Sequence, residues 1–229
     1  MLMQKVARTG FIRQAANSLP PPAQTAGGAL SDSINLMGAT VPYSRNAEIF
    51  GENEPAGYVY KVVAGAVRTY KVLADGRRQI GAFYLPGDIF GLEAKDTHTF
   101  SSEAITDTKI LVVKRSALMT LAARENEVAR QLWSTMGQEL RRVQEHTLVL
   151  IKTAKERVVS FLLEMIERIP GGSQLELPMT RQDIADYLGL TMETVSRTLA
   201  DLENSSTIEL ASARRIVLRD RGALGRLNS

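Results

Sequence analysis

Near the C-terminus the chain sets a carboxylate, a hydroxyl and a guanidinium within one helical turn: Glu193, Ser196 and Arg197. At i, i+3 and i+4 they share one face of an α-helix, and their chemistry matches the edges of base pairs. A guanidinium can donate two hydrogen bonds to guanine O6 and N7, a carboxylate can accept one from the cytosine amino group, and serine can meet either a base or the thymine methyl. Met192 completes the outer, N-terminal part of the helix, the portion that a helix-turn-helix inserts into the major groove. The same spacing of Glu193 and Arg197 also permits a plain surface ion pair of small energetic weight.

The elements that position these side chains are legible around them. Thr180 is a good N-cap and Asp183 follows in the first turn, where a carboxylate favours exposed amides, so the spacing predicts a first helix over Arg181–Leu188 with Ile184, Ala185 and Leu188 inward. Gly189 takes the turn and Thr191 caps the second helix, whose Val195, Leu199 and Leu202 form the inner face. Thr180, Arg181, Thr191 and Thr194 stand where hydroxyls, charge and helix N-termini meet phosphates; capping and solubility are the plainer roles for the same four. Upstream lie a helix over Thr153–Ile169, ending at Pro170-Gly171-Gly172, and a short strand, Leu175–Leu177. Downstream, Thr207–Leu210 and Arg215–Leu218 flank a turn and make a wing.

Earlier in the chain the pattern is extended. From about residue 43 to 113, Tyr58–Val63, Val67–Val72, Gln79–Tyr84 and Ile105–Val113 read as strands, with Asp75-Gly76 expected as a type I′ hairpin turn and Pro86-Gly87-Asp88 as a second turn. Short strands at this spacing predict an antiparallel β-roll of the jelly-roll kind. Helical pattern follows from Arg115 to about Ile151, with Asn126 as the cap of a long helix. Ala129, Leu132, Met136, Leu140, Val143, Thr147 and Leu150 recur along it at steps of 3 and 4, with one stutter. Such a seam suits a dimer interface through Leu132, Met136, Leu140, Val143, Thr147 and Leu150, although a helix packed on its own roll shows a similar stripe.

Bulk properties narrow the function. The chain has 229 residues, 44% hydrophobic and 23% charged, which suits two globular domains. It has no cysteine, which excludes disulfides, thiolate metal sites and a cysteine nucleophile. With two histidines, His98 and His146, neither a histidine metal site nor a triad is expected, and His98 reads as a surface-loop residue. No nucleophile–base pair stands out, so an enzyme is not expected. Net charge is +3, and residues 151–229 hold 11 Lys and Arg against 11 Asp and Glu, so nucleic-acid binding rests on arrangement and not on bulk basicity. Neither a signal peptide nor an apolar run of ~18 residues is present, which predicts a cytoplasmic protein without a membrane partner.

With these motifs in hand, YVYKVVAGAVRTY, DGRRQIGAFYLPGDIFGL and TRQDIADYLGLTMETVSRTLADLE together resemble the CRP/FNR superfamily of bacterial transcription regulators over residues 45–220. The reading helix looks like the FNR type: CRP-type members carry an arginine where this chain has Met192, so TTGA…TCAA half-sites are implied. The ending LENSSTIELASARRIVLRDRGALGRLN is similar to the FixK branch, activators of microaerobic and nitrogen-fixation genes. The resemblance implies double-stranded DNA, a second copy of the chain and RNA polymerase as partners. Relatives that bind an iron–sulfur cluster use cysteines absent here. Cyclic-nucleotide binders hold the phosphate with Gly-Glu and Arg-Ser pairs, but here Leu92 follows Gly91 and Phe100 precedes Ser101, so no bound cofactor is expected. A ligand-gated sensor of the same fold is the alternative. The expected architecture is α+β: a leader (1–30), a β-roll (31–125), a dimerisation helix (126–151) and a winged helix-turn-helix (152–229).

Overall fold

The computed structural model describes residues 28–228. Most of the leader expected over 1–30 therefore lies outside the described residues, and its last two residues open a helix. This α1 (Ala29–Met37) precedes eight strands: β1 (Ala39–Tyr43), β2 (Glu48–Phe50), β3 (Tyr58–Ala64), β4 (Val67–Val72), β5 (Arg78–Tyr84), β6 (Ile89–Phe90), β7 (Ser101–Ala104) and β8 (Thr108–Lys114). They form two antiparallel four-stranded sheets, β1-β8-β3-β6 and β2-β7-β4-β5. Phe50, Tyr60, Val62, Val67, Tyr84, Phe90 and Ile110, drawn from both sheets, fill the roll. At ~1.5–3 kcal/mol for each fully buried large apolar side chain, this cluster is the main support of the roll.

Three local expectations change. Gly76 has φ 81° but Asp75 does not have positive φ, so the β4–β5 hairpin is not type I′. Gly76 N donates to Leu73 O and Leu73 N to Arg77 O, at 2.9 and 2.8 Å; this is a three-residue loop whose left-handed glycine forms a G1 bulge. The strand expected over Ile105–Val113 starts at Thr108, because Ile105–Asp107 turn the chain from β7 in one sheet to β8 in the other. His98 is not a surface residue. It is 1% exposed, its ring stacks on Phe50 at 3.6 Å, and its Nδ1 lies 3.0 Å from Glu93 Oε1. Flat stacking and a carboxylate partner make burial of this imidazole tolerable.

Beyond the roll come α2 (Arg115–Ala122), the long α3 (Asn126–Val149), with Glu125 rather than Asn126 at the cap position, and α4 (Ala154–Arg168). Leu30 and Ile34 of α1 pack with Val59, Leu111, Leu118, Val128 and Leu132, closing one side of the roll. Thr153 and Glu156 form a capping box at the start of α4. The C-terminal part continues with β9 (Gln174–Glu176), α5 (Arg181–Leu188), α6 (Met192–Asn204), β10 (Ile208–Leu210), β11 (Arg215–Leu218) and α7 (Arg221–Arg226). A sheet of order β10-β11-β9 carries the wing. Its core, including Phe161, Leu162, Met165, Leu188, Val195 and Leu202, is continuous with Ile80, Phe83 and Ile105 of the roll. No helix among the described residues is long and apolar enough to cross a membrane.

Candidate DNA-binding site

The two helices of the C-terminal motif are fixed by their ends. At the start of α5, Thr180 N and Oγ1 donate to Asp183 Oδ2 at 2.9 and 2.7 Å, and Asp183 N donates back to Thr180 Oγ1 at 3.1 Å. At its end Gly189 takes φ 62°, a conformation that costs glycine no Cβ clash. Leu190 N then reaches Ala185 O at 2.9 Å, the bond of a Schellman stop. Thr191 Oγ1 accepts from Thr194 N at 3.1 Å and starts α6 immediately after the turn. Val195, Leu199 and Leu202 are at most 3% exposed, so the inner face of α6 is set by burial.

That leaves the opposite face outward. Met192 is 43% exposed, Glu193 and Arg197 are exposed and Ser196 is half-buried. Among the described residues Glu193 and Arg197 form neither an ion pair nor a hydrogen bond, with each other or with anything else. Their polar groups are available to a ligand at the N-terminal half of α6, where helix amides favour anions. Ser196 accepts a hydrogen bond from Arg181 Nη1 at 3.3 Å, and Arg181 Nε is buried without a partner. The Thr180 hydroxyl is occupied by Asp183, whereas Thr191 and Thr194 are exposed or half-exposed and share a 3.0 Å contact between their hydroxyls.

Below α5, Tyr187 is 3% exposed and packs on Phe83 with ring centroids 5.0 Å apart. Burial first, and then Glu164, push its hydroxyl above the usual tyrosine range, so it stays neutral. Arg68 and Arg78 of the roll bind Asp183 of α5, at 2.8 and 2.7 Å. Sequence reasoning missed both arginines. The one hint was a guanidinium within a strand-like run at Arg68, and its partner lies 115 residues away.

The residues expected along the dimer seam separate into two sets. Met136, Leu140 and Val143 are 42%, 59% and 52% exposed, Thr147 is exposed with its hydroxyl donating to Val143 O, and Leu150 caps the helix half-buried. Leu132 does not join them: at 8% exposure it packs into the cluster beneath α1. α3 and the roll border a cavity of about 580 Å³ lined by Ile80, Phe90, Leu92, Phe100, Glu93 and Glu139 among others and, from the exposed set itself, by Met136, Leu140 and Val143.

Comparison with known proteins finds matches over both parts of the chain. Residues 156–227 match the Crp-like helix-turn-helix domain family and residues 40–125 the cyclic nucleotide-binding domain family. The chain is 50% identical over 202 residues to the nitrogen fixation regulation protein FixK of Azorhizobium caulinodans, covering 86% of this chain and 82% of that protein. It is 44% identical over 175 residues to the FixK protein of Rhizobium meliloti, covering 76% and 80%. The solved structure of FixK2 from Bradyrhizobium japonicum superposes with a TM-score of 0.81 at 52% identity, covering 84% of this chain and 98% of that one. A cyclic nucleotide, suggested by the second family's name, does not fit the cavity. Its phosphate calls for positive charge, and among the described residues lining the cavity there is no lysine or arginine, while Glu93 and Glu139 are carboxylates.

Proposed function

The chain belongs to the CRP/FNR superfamily of transcription regulators, in its FixK branch, and from that footing we propose that it reads a palindromic TTGA…TCAA-type site as a homodimer. In this reading Glu193, Ser196 and Arg197 contact base edges, with Met192 beside them, and Thr180, Arg181, Thr191 and Thr194 contact phosphates. Two copies pair along α3 through Met136, Leu140, Val143, Thr147 and Leu150, which sets half-sites about one helical turn apart. The working units are the expected leader, roll, pairing helix (126–151) and winged helix-turn-helix (152–229), with the leader–roll boundary moved ahead of Ala29, where α1 begins. The protein acts in the cytoplasm as an activator that recruits RNA polymerase, at genes of microaerobic or anaerobic metabolism or of nitrogen fixation, the last being what the names of its FixK relatives suggest. The observation that carries the reading is the unpaired Glu193–Arg197 face at the exposed start of a helix capped by Thr191. Binding-site selection with the purified protein tests it: recovery of palindromes with TTGA and TCAA halves is expected, and recovery of unrelated or asymmetric sequences overturns it.

The cavity of about 580 Å³ favours a second reading, in which the roll binds a small molecule that gates DNA binding. Protein purified to homogeneity and binding its site at nanomolar concentration without additives decides for the first reading. Binding that appears only with cell extract decides for the second.

A further inference from the structure

We propose that Arg68 and Arg78 are positioning residues for DNA reading: by gripping Asp183 they hold the helix-turn-helix on the roll in the orientation that sets the distance between the two reading helices of a dimer. This rests on the reading above, in which α6 of each copy takes one half-site.

Asp183 joins two structures through one carboxylate. Its Oδ2 closes the N-terminus of α5 onto Thr180, and its Oδ1 takes Arg68 Nη1 at 2.8 Å and Arg78 Nη2 at 2.7 Å. The carboxylate side chain is 2% exposed and that of Arg68 is 9% exposed. Arg68 is itself oriented by Glu103 at 3.0 Å, and Arg78 also holds Asp186 at 2.8 Å. Burial alone would weaken the Arg78 guanidinium, but Asp186 and Asp183 outweigh it and keep its proton more firmly than usual.

Charges buried this deeply are a poor source of net stability, because desolvation offsets most of their attraction. They are a good source of orientation, since any swing of α5 strands a buried carboxylate and a buried guanidinium together. The other contacts that reach α5 are weaker guides of direction. Only residues 150–153 link α3 to α4, Tyr187 of α5 meets the rings of Phe83 and His146 and takes a long hydrogen bond from Gln79 Nε2 at 3.3 Å, and the charged grip of Arg168 on Asp88 at 2.8 Å is made by α4 and not by the reading motif. Because α5 packs on α6, the angle fixed at Asp183 is passed to Glu193, Ser196 and Arg197.

The test compares wild type, Arg68→Gln/Arg78→Gln and the milder Arg78→Gln, whose arginine side chain is 27% exposed and whose loss leaves the Arg68 bond in place. Each full-length protein is titrated against a single half-site, against the palindrome, and against palindromes lengthened or shortened by a base pair at the centre. Wild type is expected to prefer one centre length by about tenfold or more, and the double variant to lose that preference while binding the half-site as before, a coupling of ordinary size for linked domains. Arg78→Gln should show the same loss in smaller measure, and adding Asp183→Asn to the double variant should change the preference no further. Retention of the full preference with only a lower melting temperature overturns the proposal, since the arginines then merely stabilise. Tighter binding of the double variant to the natural palindrome also overturns it, because the grip would then restrain the motif away from DNA. If wild type binds neither the half-site nor any of the palindromes, the DNA reading fails first and the proposal falls with it.

Discussion

Leu132 and Trp133 are neighbours in the chain and differ sharply in burial: Leu132 is 8% exposed, packed in the cluster beneath α1, and Trp133, about a quarter-turn round the helix, is 79% exposed. Placing Trp133 at the head of the outward face in Leu132's stead changes the pattern of α3. Trp133, Met136, Leu140, Val143, Thr147 and Leu150 then follow steps of 3, 4, 3, 4 and 3, an unbroken heptad alternation. The stutter between Met136 and Leu140 comes from mixing two faces of one helix: Leu132 is buried in the cluster beneath α1, and the others are exposed or half-buried in the single chain.

Val143→Asp puts a charge in the middle of the outward stripe. Sedimentation should show monomers, with loss of binding to a full palindrome while the melting temperature stays within a few degrees, since Val143 is 52% exposed in the single chain. A dimer that persists would assign the stripe to some other use.

Leu132→Ala separates the two faces. Truncating a leucine packed among Leu30, Ile34 and Val128 should cost ~2–5 kcal/mol of stability. The dimer should survive at concentrations where the protein is folded. Dissociation without a loss of stability would return Leu132 to the seam.

Arg197→Ala removes the guanidinium that is free of any ion pair. If it reads a guanine, binding should weaken by ~1–3 kcal/mol and discrimination should relax at one G·C position of each half-site. Equal loss on every sequence in a mobility-shift series, with a shallower salt dependence, would make it a phosphate contact.

How much of this was readable depends on how far a residue's partner lies along the chain. The helix-turn-helix is specified by neighbours: Thr180 with Asp183, Gly189 with its left-handed turn, Thr191 with Thr194. Each signal sits within one helical turn of what it controls, and α5 and α6 appear where the pattern puts them. The strands around the Asp75-Gly76 hairpin are equally local, although the turn type depended on the backbone of Asp75. By contrast α1, with Gly28 before it and no side-chain cap, is held by contacts with β8 and α3 that no local pattern announces. β1 carries Pro42 at the edge of its sheet, where a missing donor is tolerated but the strand pattern is spoiled. The burial of His98 depends on Phe50, and the grip on Asp183 depends on Arg68; both are long-range pairings invisible to periodicity.

His146, near the end of α3, lies flat on Tyr187 of α5, with ring centroids 4.0 Å apart and an interplanar angle of 16°. It is an aromatic contact between the long helix and the DNA-binding motif, made by a titratable ring. Burial is the larger influence and lowers its pKa below the ordinary 6.5, against a smaller upward pull from a hydrogen bond to the Tyr187 backbone. As pH falls, the unfolded chain takes up the proton first and the folded chain resists it. The unfolded state thus binds more protons in this window, and stability there increases with pH. The contact therefore stabilises fully above 6.5 and loses its contribution as pH drops from 6.5 towards the lower folded value. Thermal unfolding from about pH 8 to about pH 5 should show wild type losing more stability below that point than His146→Gln, which has no proton to gain. Parallel curves for the two proteins would mean that the imidazole is protonated in the folded chain as easily as outside it.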